Sequence, residues 1–146
     1  MSELFALVVD DDPALGHLFA TVLREVGITT ETLTDGTQTL TKMAERVPDL
    51  VTLDLQMPRT SGVDILREIR ADERFFNTRV MVITASSQTS YNPDIQELAD
   101  LVLLKPVTFE QVSNFAGRLL HMAKTSKATN PLINEQEAIP QSPSKS

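Results

Sequence analysis

Four short apolar runs govern what this chain can fold into, because each stops at residues with chemistry to offer. Residues 4–9 run into Asp10-Asp11-Asp12, and residues 50–53 run into Asp54. The latter opens the loop Asp54-Leu55-Gln56-Met57-Pro58, with Gly62 just beyond. Residues 79–83 run into Thr84-Ala85, and residues 101–104 into Lys105-Pro106. None of the four shows the period-two alternation of a half-exposed strand. They read instead as strands buried on both faces, parallel in one sheet between helix layers. A carboxylate at the end of a buried strand is ordinarily a cost. Ligands of open parallel sheets, however, bind beyond the carboxyl ends of the strands. Acids, a hydroxyl and an ammonium gathered there read as one pocket.

Amphipathic segments separate these runs. The spacing predicts a helix over 13–26, with Asp12 as N-cap and Pro13 at its first position. Leu15, Leu18, Phe19, Val22, Leu23 and Val26 fall on one stripe of it, and Gly27 ends it. Residues 28–33 form the most polar strand, which places it at a sheet edge. Asp35-Gly36 opens a second helix carrying Leu40, Met43, Ala44 and Val47, closed by Pro48. A third starts at Ser61-Gly62-Val63-Asp64 with the pattern of a capping box and buries Ile65, Leu66 and Ile69. After a polar stretch at 86–90, Asn92-Pro93 caps a short fourth helix to residue 99. Thr108-Phe109-Glu110-Gln111 starts the last, with Phe109, Val112, Phe115, Ala116 and Leu119 facing the core. The architecture is thus α/β, a doubly wound five-stranded parallel sheet flanked by five helices.

The 146 residues, 41% apolar and 23% charged, suit one soluble domain with an excess. A net charge of −7 offers no footprint for nucleic acid or an anionic membrane. Without cysteine there is no disulfide, thiol catalysis or Cys-ligated zinc. No stretch approaches the roughly 20 apolar residues of a membrane span, and the N-terminus lacks a secretion signal, so the expected location is the cytoplasm. The folded domain is expected over 1–122. Residues 123–146, with three prolines and no aromatic residue, read as a disordered tail and not an output domain.

Val8-Val9-Asp10-Asp11-Asp12-Pro13, Leu53-Asp54-Leu55-Gln56-Met57-Pro58 with Gly62, Ile83-Thr84-Ala85 and Leu104-Lys105-Pro106, in this order and at these intervals, resemble the receiver domain of two-component response regulators. The likeness covers about residues 3 to 122. It implies a flavodoxin-like sheet of order 2-1-3-4-5, the strand order of a chemotaxis member of the family. It implies that Asp54 accepts a phosphoryl group from a sensor histidine kinase or histidine phosphotransfer protein. It implies Mg²⁺ as cofactor, with Asp11 and Asp54 as direct ligands, Asp10 acting through water and the Gln56 carbonyl completing the set. Lys105 would neutralise a phosphoryl oxygen and orient Asp54, and Thr84 would swing its hydroxyl to the phosphoryl group, making the chemical event a loop movement. The bond matching Lys105-Pro106 is usually cis in the family, although sequence alone leaves it open.

The charges agree with that expectation. Asp10, Asp11 and Asp54 against Lys105 leave two excess negative charges, which one divalent cation cancels. Hard oxygen ligands of this kind suit Mg²⁺. Asp12 reads as a helix cap, and His17 and His121 have no partnering motif. The chain departs from the family at Val102, where receivers carry Tyr or Phe, and at Val107, often Phe. Transmission is therefore expected through the loop after Thr84 and the helix starting at Asn92-Pro93. The apolar strand 101–104 forms a sheet edge, so the face it makes with the fourth and last helices is expected to bind a partner or a second copy. A stand-alone receiver that signals by docking to a downstream protein is the leading function, and not a turnover enzyme. An interaction module with weak or no phosphorylation switching is the alternative. An aspartate-nucleophile phosphatase using Asp10-Asp11-Asp12 fits less well, because Ala14 stands where such enzymes carry Thr or Val.

Overall fold

The computed structural model describes residues 3–124. In chain order these form strand β1 (Phe5–Val9), helix α1 (Pro13–Glu25), β2 (Thr29–Leu33), a 3-10 turn at Gly36–Gln38, α2 (Thr39–Glu45) and β3 (Leu50–Leu53). A two-residue hairpin follows, β4 (Gln56–Met57) and β5 (Thr60–Ser61), leading directly into α3 (Gly62–Ala71). After a second 3-10 turn at Glu73–Phe75 come β6 (Arg79–Thr84), α4 (Ser87–Ser90), α5 (Pro93–Leu98), β7 (Leu101–Leu104) and α6 (Phe109–Lys124). The main sheet has the order β2-β1-β3-β6-β7 with every pairing parallel. Leaving the small antiparallel hairpin aside, that is the expected five-strand order.

Alternate residues of the central strands feed two separate cores. Ala6, Val8, Leu50, Met81 and Ile83 pack against Phe19, Leu23, Val112, Ala116 and Leu120 of α1 and α6. Leu7, Val9, Val51, Leu53, Val80 and Val82 pack against Met43, Leu66, Ile69 and Ile95 from α2, α3 and α5. Strands β1, β3 and β6 are apolar on both faces for this reason.

Capping follows the sequence closely. Asp12 Oδ1 accepts from the amides of Ala14 and Leu15 at 3.0 and 3.3 Å, and Asn92 Oδ1 from Asp94 at 2.8 Å. The start of α6 is a complete capping box: Gln111 N donates to Thr108 Oγ1 at 3.0 Å while Thr108 N donates to Gln111 Oε1 at 2.8 Å. At α3 the Ser61 hydroxyl accepts from Asp64 N at 3.2 Å.

The structure corrects several expectations. Six α-helices, not five, lie among the described residues, because the polar stretch after Thr84 closes one turn of its own. Ser86 caps that turn, its Oγ accepting from Thr89 N at 3.1 Å. The second helix begins as a 3-10 turn. Phe109, expected in the core, is 53% exposed, and Leu18, Val26 and Val47 are exposed as well. Val26 and Val47 lie past the ends of α1 and α2, and Leu18 and Phe109 line an open groove between α1 and α6. β7 is only half-buried and Leu104 is exposed, since an edge strand has a neighbour on one side only. The expected tail falls from residue 125 onward outside the described residues.

Candidate functional site

Parallel register brings the four loaded strand ends together. Val9 lies level with Leu53, Leu53 with Val82, and Thr84 with Leu104. The ladder continues one step past the strands: Asp54 N donates to the Val9 carbonyl at 3.0 Å, Asp10 N to the Leu33 carbonyl at 3.0 Å, and Lys105 N to the Thr84 carbonyl at 2.8 Å. Residues remote in sequence therefore emerge side by side at one end of the sheet.

The side chains converge there. Lys105 Nζ reaches 3.4 Å from Asp54 Oδ2, across β6, and 3.5 Å from Asp10 Oδ2, across β6 and β3. Both carboxylates are buried, and each uses its other oxygen locally. Asp10 Oδ1 accepts from Asp12 N, and Asp54 Oδ1 from Gln56 N, both at 2.9 Å. These Asx-type turns fix the side chains against rotation. The Lys105-Pro106 peptide bond is cis, settling what sequence left open.

Asp10, Asp11 and Asp54 each bring a carboxylate oxygen within 4.8 Å of the others. Burial pushes the Asp10 carboxyl up from the ordinary carboxylate range, and the Asp54 charge adds to this; the Asp12 amide and Lys105 pull the other way without cancelling it. One ammonium among three carboxylates leaves the cluster short of positive charge, and a hard divalent cation is what such an oxygen set accommodates.

Thr84 is fully buried at the end of β6. Its hydroxyl donates to Gln56 Oε1 at 3.4 Å and accepts from Ser86 N at 3.2 Å. Sequence reasoning did not foresee this side-chain contact of Gln56 with Thr84. The only signal was its place two residues beyond Asp54, which does not reveal where the loop aims the amide. Asp12 caps α1 and stands outside the acidic cluster, as expected. His17 and His121 are exposed on α1 and α6, outside the site. Val102 is half-buried on β7 and packs against the core on the α2, α3 and α5 side of the sheet, an aliphatic side chain at the position where the family pattern has an aromatic one.

The model of the response regulator receiver domain matches residues 6–116. The chain belongs to the response regulator receiver family. Among similar proteins, the DNA-binding response regulator MtrA of Mycolicibacterium smegmatis is 43% identical over 83 residues, which are 57% of this chain and 35% of that protein. MtrA of Mycobacterium tuberculosis is 40% identical over 101 residues, 68% of this chain and 43% of that protein. The chain thus spans less than half the length of these two relatives. Among solved structures, the response regulator TrrA of Thermotoga maritima, in complex with Mg²⁺ and BeF, is 29% identical with a TM-score of 0.72, covering 80% of this chain and 98% of that one. A receiver is a signalling domain of two-component response regulators and not a turnover enzyme. Among the described residues no helix is long and apolar enough to cross a membrane.

Proposed function

We propose that this receiver takes a phosphoryl group onto the Asp54 carboxylate from a phosphohistidine of a sensor kinase or phosphotransfer protein. An Asp54 oxygen attacks phosphorus, the N–P bond breaks, and its electron pair returns to the imidazole, which takes a proton from solvent. The observation that carries this reading is Lys105 Nζ held 3.4 Å from Asp54 Oδ2 inside a buried acidic cluster. A structural lysine would have no reason to cross a neighbouring strand to reach two buried acids.

Asp10, Asp11 and Asp54, with the Gln56 carbonyl, would hold Mg²⁺, and Asp10 would act through water. Bound there, the ion supplies the positive charge that lets a carboxylate approach an anionic phosphoryl group. Lys105 would offset charge on the phosphoryl oxygens. Thr84 supplies a hydroxyl donor to one of those oxygens. Cytoplasmic location belongs to the same reading, because the phosphodonor is a cytoplasmic kinase domain.

Mass spectrometry after acetyl phosphate and Mg²⁺ tests it. One phosphoryl adduct is expected on Asp54 and none on the Asp54→Asn variant. An adduct on Asp10 would instead favour the hydrolase reading, and undiminished labelling of Asp54→Asn would overturn this one.

The downstream partner, or a second copy, docks on the face made by α5, β7 and α6. The half-buried edge strand with Leu104 exposed supports that placement. Sedimentation of beryllofluoride-treated protein should show self-association that Leu104→Glu abolishes. A wild type that stays monomeric and binds partners as well as Leu104→Glu does removes the role of this face.

A further inference from the structure

Thr84 carries a single hydroxyl proton, and two acceptors can claim it. In the structure it points to Gln56 Oε1 at 3.4 Å, and full burial of Thr84 denies it bulk water instead. The main chain of Gln56 is tied down twice, by its amide to Asp54 Oδ1 at 2.9 Å and by pairing with Ser61 across the β4–β5 hairpin. Its exposed side chain is the part free to move. One residue thereby touches the acceptor carboxylate through its backbone and the Thr84 hydroxyl through its side chain.

We infer that the Gln56 side chain is a latch on Thr84, a positioning residue that holds the hydroxyl in its resting direction and opposes its transfer to a phosphoryl group on Asp54. The inference rests on the phosphoacceptor reading of Asp54. A phosphoryl oxygen is a charged acceptor and outcompetes a neutral amide oxygen. The latch therefore raises the threshold of the switch without blocking it. The consequence passes outward through Ser86, whose amide donates to Thr84 Oγ1 at 3.2 Å and whose own hydroxyl caps α4 through Thr89 N at 3.1 Å. When the Thr84 hydroxyl leaves Gln56, the Ser86 amide must follow it or lose its partner, and the cap of α4 is disturbed. This route needs no aromatic ring at position 102.

The test compares amide NMR spectra of the full chain with and without Mg²⁺ and beryllofluoride, in wild type, Gln56→Leu, Thr84→Val and the double variant. Leucine removes the acceptor while leaving the backbone ties of position 56 available. Without beryllofluoride, the Ser86, Ser87 and Thr89 amides of Gln56→Leu should already lie displaced toward the bound positions. Its beryllofluoride affinity should be tighter by about 2- to 10-fold, the range for loss of one neutral hydrogen bond from the resting state. In the Thr84→Val background the same leucine should add nothing. A Gln56→Leu resting spectrum superimposing on wild type, an unchanged or weaker affinity, or an equal gain in the Thr84→Val background would overturn the latch. A wild type that ignores beryllofluoride fails at the earlier step, sinking the phosphoacceptor reading and the latch with it.

Discussion

Gly62 shows how one missing side chain shapes the site. A Cβ placed there would stand 2.4 Å from Leu55 Cα, 2.8 Å from its carbonyl oxygen and 2.9 Å from Cδ2. Two of those atoms are backbone and have no rotamer by which to withdraw. Leu55 follows Asp54 directly, so the space left by Gly62 lets the acceptor loop lie flat against the start of α3. Gly62→Ala should destabilise the protein by about 1–3 kcal/mol, the usual cost of overpacking. Urea denaturation measures it, and a neutral result would mean that the loop can lift without penalty. The sequence flagged Gly62 as part of a motif but gave no reason for it, since the reason is a contact between two backbones. The same limit applies to Gln56. Residue type places an amide near the acceptor, while only the path of the β4–β5 hairpin aims it at Thr84.

Among the elements, Arg70 in the last turn of α3 joins pieces that the hydrophobic pattern leaves separate. Its Nε donates to the Leu98 carbonyl at 2.8 Å, its Nη1 to the Thr78 carbonyl at 2.9 Å and its Nη2 to Asp100 Oδ2 at 2.8 Å. The same Asp100 oxygen accepts from Val80 N at 2.7 Å, tying the network to the start of β6. One guanidinium thus fastens α3 to the end of α5 and to the turns that enter β6 and β7. Both side chains are largely shielded, at 19% and 22% exposed, so the pair is worth more than a surface ion pair. Arg70→Met should cost about 2–3 kcal/mol, because the Leu98, Phe75 and Thr78 carbonyls and the Asp100 carboxylate each lose a donor. A loss below about 0.5 kcal/mol in thermal or urea unfolding, the size of an exposed pair, would show the network to be ornamental. Arg70 reads in sequence as an ordinary cation near a helix C-terminus, and its partners lie across the fold. Periodicity misleads in the opposite direction at Leu18, Val26 and Phe109: it marks which face is apolar, not how far the neighbouring element reaches to cover it. The turn Ser87–Ser90 was hidden for a third reason, as it has no apolar stripe and depends on the Ser86 cap.

Taken whole, the molecule brings like charges together that an unfolded chain would keep apart. The strand ends carrying them were legible, because a buried parallel strand has few polar positions and its terminus is where such a residue surfaces. Folding then confines three carboxylate oxygens within 4.8 Å of one another with one ammonium beside them. The raised Asp10 carboxyl is the trace of burial first, with the neighbouring Asp54 charge adding to it. A cation that binds the folded cluster and not the dispersed acids must therefore stabilise the native state by mass action. At one hundred times its dissociation constant the gain is about 2.7 kcal/mol. Melting temperature should rise with the logarithm of Mg²⁺ concentration, return on chelation, and lose most of its dependence in Asp11→Asn, which keeps Lys105 and both buried acids in place. Equal responses of wild type and Asp11→Asn would assign the effect to general screening. A wild type unmoved by millimolar Mg²⁺ would mean that the acids are satisfied by Lys105 alone, which their count makes the harder outcome to reconcile with burial.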